Sequence, residues 1–271
     1  PATLLLAEAF WLLEGYFVRE LGMHRVYNSA FMNLLRDGEN GTYHQLLKNI
    51  LAYDPKILGR FVNFMNNPDE RTAVDQFGKG NKYFGICTMM VTMPGLPLIG
   101  HGQIEGFSER YGMDFKKAKW DEEIDQELVQ RHKREIFPLL RNRADFVGTD
   151  YFTLYDFEKG DGDIDENVFA YSNQNDGRVY LVIFNNSYKL TQGFIKRAAK
   201  YTPDNFHVQE KSITNIMDRL SPSPHKQNMF ILSDLWTGKS YKYKTRKIKD
   251  NGLFFKLDPY ETHVFLIKTL A

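Results

Sequence analysis

The sequence predicts an α/β region followed by an all-β region, and three observations predict it. Apolar runs that end at a polar group recur early, in "TLLLAEAFW", "RFVNFMNNPDE" and "GLPLIGHGQIEGF", with stretches of helical periodicity between them. Glu8 and Asp69 are 61 positions apart and Asp69 and Gln103 are 34 apart, which fits two βαβ repeats and then one, at roughly 30 residues or more per repeat. Beyond residue 147 helical spacing gives way to short strand-like runs between turn signals.

Taken in order, "TLLLAEAF" reads as a fully buried strand ending at Glu8, and "EGYFVRELG" as a short amphipathic helix closed by Gly22. "HRVYNSAF" alternates as a strand. "TYHQLLKNILAYD" places Leu46, Leu47, Ile50 and Leu51 on one side of a helix that stops before Pro55. "GRFVNFMN" is a strand, and "KYFGICTMMVTM" is apolar nearly all round, so it is a buried helix, stopped at Pro94-Gly95. "LPLIGHG" is the next strand. "DQELVQRHKREIFPLLRNR" is a longer helix that Pro138 should bend. Residues 1–147 thus hold four strand–helix units, half of an eightfold α/β barrel, which takes about 250 residues.

Residues 148–271 carry the runs "YFTLYDF", "NVFAYSN", "RVYLVIFNN", "MFILSDLW", "KSYKYKT", "LFFKL" and "HVFLIKTL", punctuated by "GDGD", "NDG", "TGK" and "DNG". They predict an antiparallel β-sandwich. Residues 189–226, with two Ser-Pro pairs and weak periodicity, read as an inserted loop. A half-barrel alone would expose two strand edges. The expectation is that a missing barrel half lies upstream or that two chains complete each other. A start at Pro1 without Met fits a mature N-terminus or a piece of a longer chain.

The net charge of +1 over 271 residues argues against nucleic acid as a partner. No apolar stretch is long enough to span a bilayer. The lone Cys87 excludes an intrachain disulfide framework and leans towards a reducing, cytoplasmic compartment. His24, His44 and His132 lack metal-ligand spacing, and there is no phosphate-binding glycine loop or nucleophile elbow, so no cofactor is expected. "KSYKYKTRKIK" reads as a solvated edge strand with protective lysines. The 21 Phe, 15 Tyr and 3 Trp build a large aromatic core and are compatible with a carbohydrate ligand.

Parallel strands joined by helices bring their C-terminal ends to one face, where barrel enzymes keep their chemistry. Two carboxylates there, Glu8 and Asp69, are the minimum for acid-catalysed cleavage of a glycosidic bond. An arbitrary Glu is more often part of a structural ion pair, but Glu8 ends a six-residue apolar run, and burial beside Phe10 and Trp11 would keep it protonated. Asp69 is either a site carboxylate or a helix N-cap. Asn67 and Arg71 flank it; Arg71 either contacts substrate or pairs with Asp69 or Glu70. Trp11 is a sugar-stacking surface or a core wall. His101, Gln103 and Glu105 end the third run and complete the substrate-binding set.

These residues resemble the C-terminal half of an α-amylase superfamily protein, glycoside hydrolase family 13. "LLLAEAFW" resembles the segment carrying that family's general acid at the end of the fifth barrel strand, which implies that role for Glu8. "FMNNPDE" is similar to the Asn-His-Asp segment after the seventh strand and implies transition-state stabilisation by Asp69. "GLPLIGHGQIE" resembles the eighth strand through Gly95, Pro97, Ile99, Gly102 and Gln103, and "DLWTGKSY" and "LDPYETHVFLI" resemble the β-domain that follows. The resemblance implies a retaining enzyme of α-1,4-glucosidic bonds with an α-glucan partner. Its nucleophilic Asp, and most calcium ligands, belong to strands one to four, which this chain lacks; the chain alone is therefore expected to be inactive. The family's His before the seventh-strand Asp is Pro68 here. Pro at that place, with "AEAF", is similar to the maltosyltransferase branch, so transfer is the alternative to hydrolysis. A non-catalytic carbohydrate-binding relative is the other alternative.

Overall fold

The structure is a computed structural model that describes residues 3–8, 14–110, 116–199 and 229–270. Four parallel strands, β1 (Leu6–Ala7), β2 (Arg25–Tyr27), β3 (Phe61–Phe64) and β4 (Leu96–Leu98), lie side by side in chain order. Their register is set by Leu6 opposite Arg25, Val26 opposite Phe61, and Val62 opposite Leu96. The crossovers contain α1 (Glu14–Arg19), α2 (Ser29–Asp37), α3 (Asn40–Tyr53), α4 (Ala73–Phe77) and α5 (Asn81–Thr92).

The run "HRVYNSAF" is not strand throughout. The strand stops at Tyr27, because the Asn28 side chain accepts a hydrogen bond from Phe31 N at 3.2 Å and caps α2. Asn28 Nδ2 donates to Asn63 Oδ1 at 2.9 Å, and Asn63 Nδ2 donates to the Pro94 carbonyl at 3.1 Å. This buried amide chain ties the entrances to α2 and β4 to the middle of β3. α2 ends at Gly38, whose φ of 75° belongs to the left-handed region that glycine enters without strain.

Of these four strands β3 alone is buried along its whole length. β1 and β4 are the edges of the sheet, and Leu4, Leu5, Leu6, Leu96 and Ile99 are exposed there. The expectation of three fully buried strands fails at β1 and β4 because each has one neighbour strand where a buried strand needs two.

The helix α5 is buried from Tyr83 to Thr92, as its all-round apolar sequence requires. It packs against β7 (Arg178–Asn185) so closely that a Cβ on Gly85 would overlap three ring carbons of the fully buried Phe184. Gly85→Ala should therefore lower stability by about 1–3 kcal/mol, overpacking outweighing the helical preference for Ala; urea denaturation checks the sign.

The expected long helix is three pieces, α6 (Gln126–Arg131), a π-helical turn (His132–Ile136) and α7 (Phe137–Arg141). The irregularity lies in the turn before Pro138, whose missing N–H removes one donor from the ladder.

Among the described residues the eight remaining strands are antiparallel: β5 (Thr153–Glu158), β6 (Val168–Asn175), β7, β8 (Thr191–Ala198), β9 (Met229–Asp234), β10 (Ser240–Lys244), β11 (Leu253–Leu257) and β12 (Thr262–Leu270). They form one continuous sheet in the order β10-β9-β12-β7-β6-β5-β8-β11. The expectation of a two-sheet sandwich becomes a single sheet folded over its own core. Phe255 of the edge strand β11 lies 5.8 Å from Phe265 of β12, strands far apart in the hydrogen-bonding order. The first part of the expected loop 189–226 is strand β8, paired with both β5 and β11; residues 200–228 lie outside the described residues. β10 is the exposed edge strand expected of "KSYKYK", but Thr245–Asn251 forms a helix, α8, that buries Ile248.

The main core runs without a break from Val26, Phe31 and Met89 to Phe169, Tyr171, Phe184 and Val264. Asn40 and Asn186 bond reciprocally across it: Asn186 Nδ2 reaches Asn40 Oδ1 at 2.7 Å, and Asn40 Nδ2 reaches the Asn186 carbonyl at 3.0 Å. Cys87 is buried there, its thiol pushed up to about 12 by burial, so it stays protonated and inert.

Candidate active site at the strand ends

Because the four strands are parallel and adjacent, the residues that follow each of them meet on one side of the sheet. Glu8 follows β1, Tyr27 closes β2, Asn66 to Asp69 follow β3, and Gly100 to Gln103 follow β4. The link between the two carboxylates is Tyr27. Burial raises the pKa of its phenol, and the negative charges of Glu8 and Asp69 raise it further. Tyr27 lies on β2, the strand between those that Glu8 and Asp69 follow. The Tyr27 ring is held edge-on to Phe64 of β3, with centroids 5.4 Å apart.

The loop bearing Asp69 is held from beneath. Asn67, buried, accepts from Asp69 N and Glu70 N at 3.0 Å each, closing a tight turn. Gln76, also buried, donates to the carbonyls of Met65 at 3.0 Å and Arg71 at 2.7 Å. The cap of α4 is Thr72, which accepts from Asp75 N at 3.4 Å, so Asp69 is not the helix cap and its side chain stays exposed. Arg71 pairs with Asp75 at 3.5 Å, not with Asp69 or Glu70, and both partners of that pair are exposed.

Glu8 is exposed, contrary to the burial expected of it. Trp11 and Phe10, which were to enclose it, lie outside the described residues. Gln103 is buried, and its side chain accepts from Gly100 N at 3.0 Å and lies 3.5 Å from the Met65 sulfur. It shapes the loop after β4 and is a support of the site, not an exposed contact. Glu105, half-buried two residues after Gln103, accepts from Asp125 N at its carbonyl at 2.9 Å. Its charge acts on His132, an imidazole held below its ordinary value mainly by burial, and on Tyr83, both on the helical side of that loop.

His101 is exposed and faces a small cleft of about 30 Å3, which it lines with Asn66, Asn67, Pro68, Glu70 and Arg110. Asn66 is the residue that sequence reasoning passed over here. It is buried, and its Oδ1 has no hydrogen-bond partner, leaving an acceptor in the wall of the cleft. A Cβ on Gly100 would run into this amide, so glycine is needed for the loops after β3 and β4 to approach. Tyr27 was passed over as well, although it occupies on β2 the place that Glu8 occupies beside β1.

Among the described residues no three His, Cys, Asp or Glu side chains are grouped to hold a metal ion, and no helix is long and apolar enough to cross a membrane.

No known protein-family pattern matches this sequence, and no curated protein does. Solved structures do match. An α-amylase from Geobacillus thermoleovorans complexed with acarbose superposes with a TM-score of 0.64 at 13% identity, covering 97% of this chain and 53% of that one. A gamma-CGTase from alkalophilic Bacillus clarkii gives 0.60 at 16% identity, over 96% of this chain and 35% of that one. A debranching enzyme from Nostoc punctiforme gives 0.58 at 11% identity, over 96% and 50%. The chain thus spans about half the length of the α-amylase it resembles. At such identities the likeness is one of fold, and the fold is that of one stretch of the α-amylase superfamily enzymes.

Proposed function

We propose that this chain is the part of a retaining, α-glucan-active enzyme that carries the general acid and the transition-state stabiliser. In this reading the four parallel strands are strands five to eight of a (β/α)8 barrel, a β-domain begins near residue 148, and the nucleophile comes from the barrel half that would flank β1 and β4. The observation that carries the reading is the placement of Glu8 and Asp69 after the parallel strands β1 and β3, on either side of β2. Glu8 delivers a proton to the leaving glycosidic oxygen. Asp69, fixed by Asn67 and Gln76, bonds ring hydroxyls more strongly as positive charge develops at the anomeric carbon. The exposed apolar edges at Leu4–Leu6 and at Leu96 and Ile99 support a partner surface that is itself strand. Pro68, exposed where the superfamily's His would bind sugar, favours transfer to a second sugar as the alternative outcome of the same intermediate.

The isolated chain is expected to show no turnover of starch, maltodextrin or an activated maltoside, because no glycosyl-enzyme intermediate forms without a nucleophile. A longer natural polypeptide that includes the flanking barrel half is expected to turn over maltodextrin. Turnover by the isolated chain that survives repurification and is lost in Glu8→Gln would refute the missing nucleophile. A longer polypeptide inert on every α-glucan would refute the function.

A further inference from the structure

We propose, resting on the reading of Asp69 as the transition-state stabiliser, that Arg36 in the last turn of α2 is a positioning residue for Asp69 and acts through the Gln76 amide. Arg36 comes 40 positions before Gln76, and its Nη1 donates to Gln76 Oε1 at 2.9 Å. Gln76, on α4, donates in turn from Nε2 to the carbonyls of Met65 and Arg71, at 3.0 and 2.7 Å. Those two residues bracket the loop that carries Asp69.

Three features set the direction of this link. The guanidinium is itself oriented: Nε and Nη2 hold the two carboxylate oxygens of Asp37 at 2.7 and 2.8 Å, which turns Nη1 towards Gln76. The backbone at Arg36 is anchored, because Lys82 Nζ donates to its carbonyl at 2.7 Å and ties the end of α2 to the start of α5. The Gln76 amide is buried, and its two ends have nearly the same shape. Arginine carries donors and no acceptor, so it fixes Oε1 on its own side and leaves both amide hydrogens for the loop. Turned over, the amide would set its oxygen against two carbonyl oxygens and its NH2 against the guanidinium.

An ion pair near the surface, such as Arg36 with Asp37, adds little to stability. The bond from Arg36 to Gln76 acts on geometry instead. A charged donor polarises the amide and strengthens the two bonds that the amide makes in turn. It also gives a partner to a buried oxygen. Gln76 grips both ends of the loop, and Asn67 holds its middle by accepting from Asp69 N and Glu70 N at 3.0 Å each. Asn67 belongs to the loop itself, so only the grip of Gln76 ties the loop to the helices behind it. A carboxylate that must meet ring hydroxyls in the transition state tolerates little displacement, and about 1 Å costs on the order of 10²-fold.

Amide exchange in the full 271-residue chain, followed by NMR, tests the positioning, and rates of the longer natural polypeptide test its consequence. In Arg36→Met, which keeps an unbranched stem, the Asp69 and Glu70 amides should exchange about tenfold faster or more, as in a local opening. Exchange in β3 and the urea midpoint should stay as in the native chain. Gln76→Glu, which still accepts from Arg36 but has no hydrogens for the loop, should free the same two amides. In the longer polypeptide Arg36→Met should slow maltodextrin and α-maltosyl fluoride alike, by about tenfold to a hundredfold. In an Asp69→Asn background it should slow neither further, whereas a residue with only a structural role would act on both backgrounds equally. Asp69 and Glu70 amides unchanged in both variants, exchange raised in β3 as much as in the loop, or full additivity of Arg36→Met with Asp69→Asn would each overturn the proposal. Exchange is read without turnover, so a failure of the positioning and a failure of the proposed reaction are told apart.

Discussion

In the proposed enzyme, Glu8→Gln should slow the first chemical step on maltodextrin by about 10²–10⁴-fold, the usual contribution of general acid catalysis. The amide keeps the shape and the hydrogen bonds of the acid but has no proton to give. A sugar oxygen is a poor leaving group and needs that proton; fluoride needs little protonation. With α-maltosyl fluoride the same variant should lose far less in the first step. Asp69→Asn should slow both substrates, because it weakens charge stabilisation around the ring whatever departs. Single-turnover rates with both substrates separate the roles. Equal loss on fluoride and maltodextrin in Glu8→Gln would remove Glu8 as the acid, and unchanged rates in Asp69→Asn would reduce Asp69 to a loop residue. The exposure of Glu8 in this chain sharpens the expectation. A carboxyl that stays protonated near neutrality needs cover from water, and in the proposed enzyme the other barrel half supplies it.

His44 should make the fold labile to acid. It lies on α3, buried, stacked on Phe169 with ring centroids 4.3 Å apart and planes 4° from parallel. Its Nε2 has no hydrogen-bond partner. Burial, and then the Lys48 charge, lower its pKa from 6.5 to about 4, against Asp156, the backbone of Val168, and Asp165. The unfolded chain therefore binds this proton at a pH where the fold does not. The stability that a neutral His44 permits is complete above about pH 6.5 and falls away between there and about pH 4, by about 3 kcal/mol in all. Urea midpoints measured from pH 7 to pH 4 should show this slope, and His44→Phe, which keeps a flat ring against Phe169, should remove it. A slope unchanged in the variant would assign the lability elsewhere. His263 acts with the opposite sign. Burial acts to lower its pKa, but the hydrogen bond to Asp234, at 2.7 Å, and the charges of Glu261 and Asp234 outweigh it and raise it. Its share of stability is present below about pH 6.5 and is lost as pH rises through the higher folded value. The two histidines thus place their joint optimum near the pKa of a free imidazole.

The order of the first four strands was legible because apolar runs and helical spacing are local signals. The exposure of β1 and β4 was not, since burial of an edge depends on a neighbour and not on the run itself. β8 escaped notice because Gly193, Lys196 and Arg197 blur its alternation, although a Cβ at Gly193 would strike Glu158 and Phe157 of β5. α8 has one buried residue, Ile248, too few to set a period. Glu8 and Asp69 were legible as polar ends of apolar runs, whereas Tyr27 and Asn66 act through neighbours brought from other strands. Arg36 and Gln76 meet from 40 positions apart, a link that no motif describes.

The seam between the two halves is a boundary in sequence and not in cohesion. Phe184 of the large sheet rests on the bare backbone of Gly85, and the hydroxyls of Thr92 and Tyr171 meet at 2.6 Å across the same contact. Asn186 crosses back to donate to the Leu35 carbonyl at 3.1 Å and to Asn40 Oδ1 at 2.7 Å. A cut near residue 147 would strip α5 of the surface that buries it and leave the sheet with an uncovered apolar face. The all-β half is therefore packed as a scaffold against α5, and the two halves are expected to unfold together, in one transition.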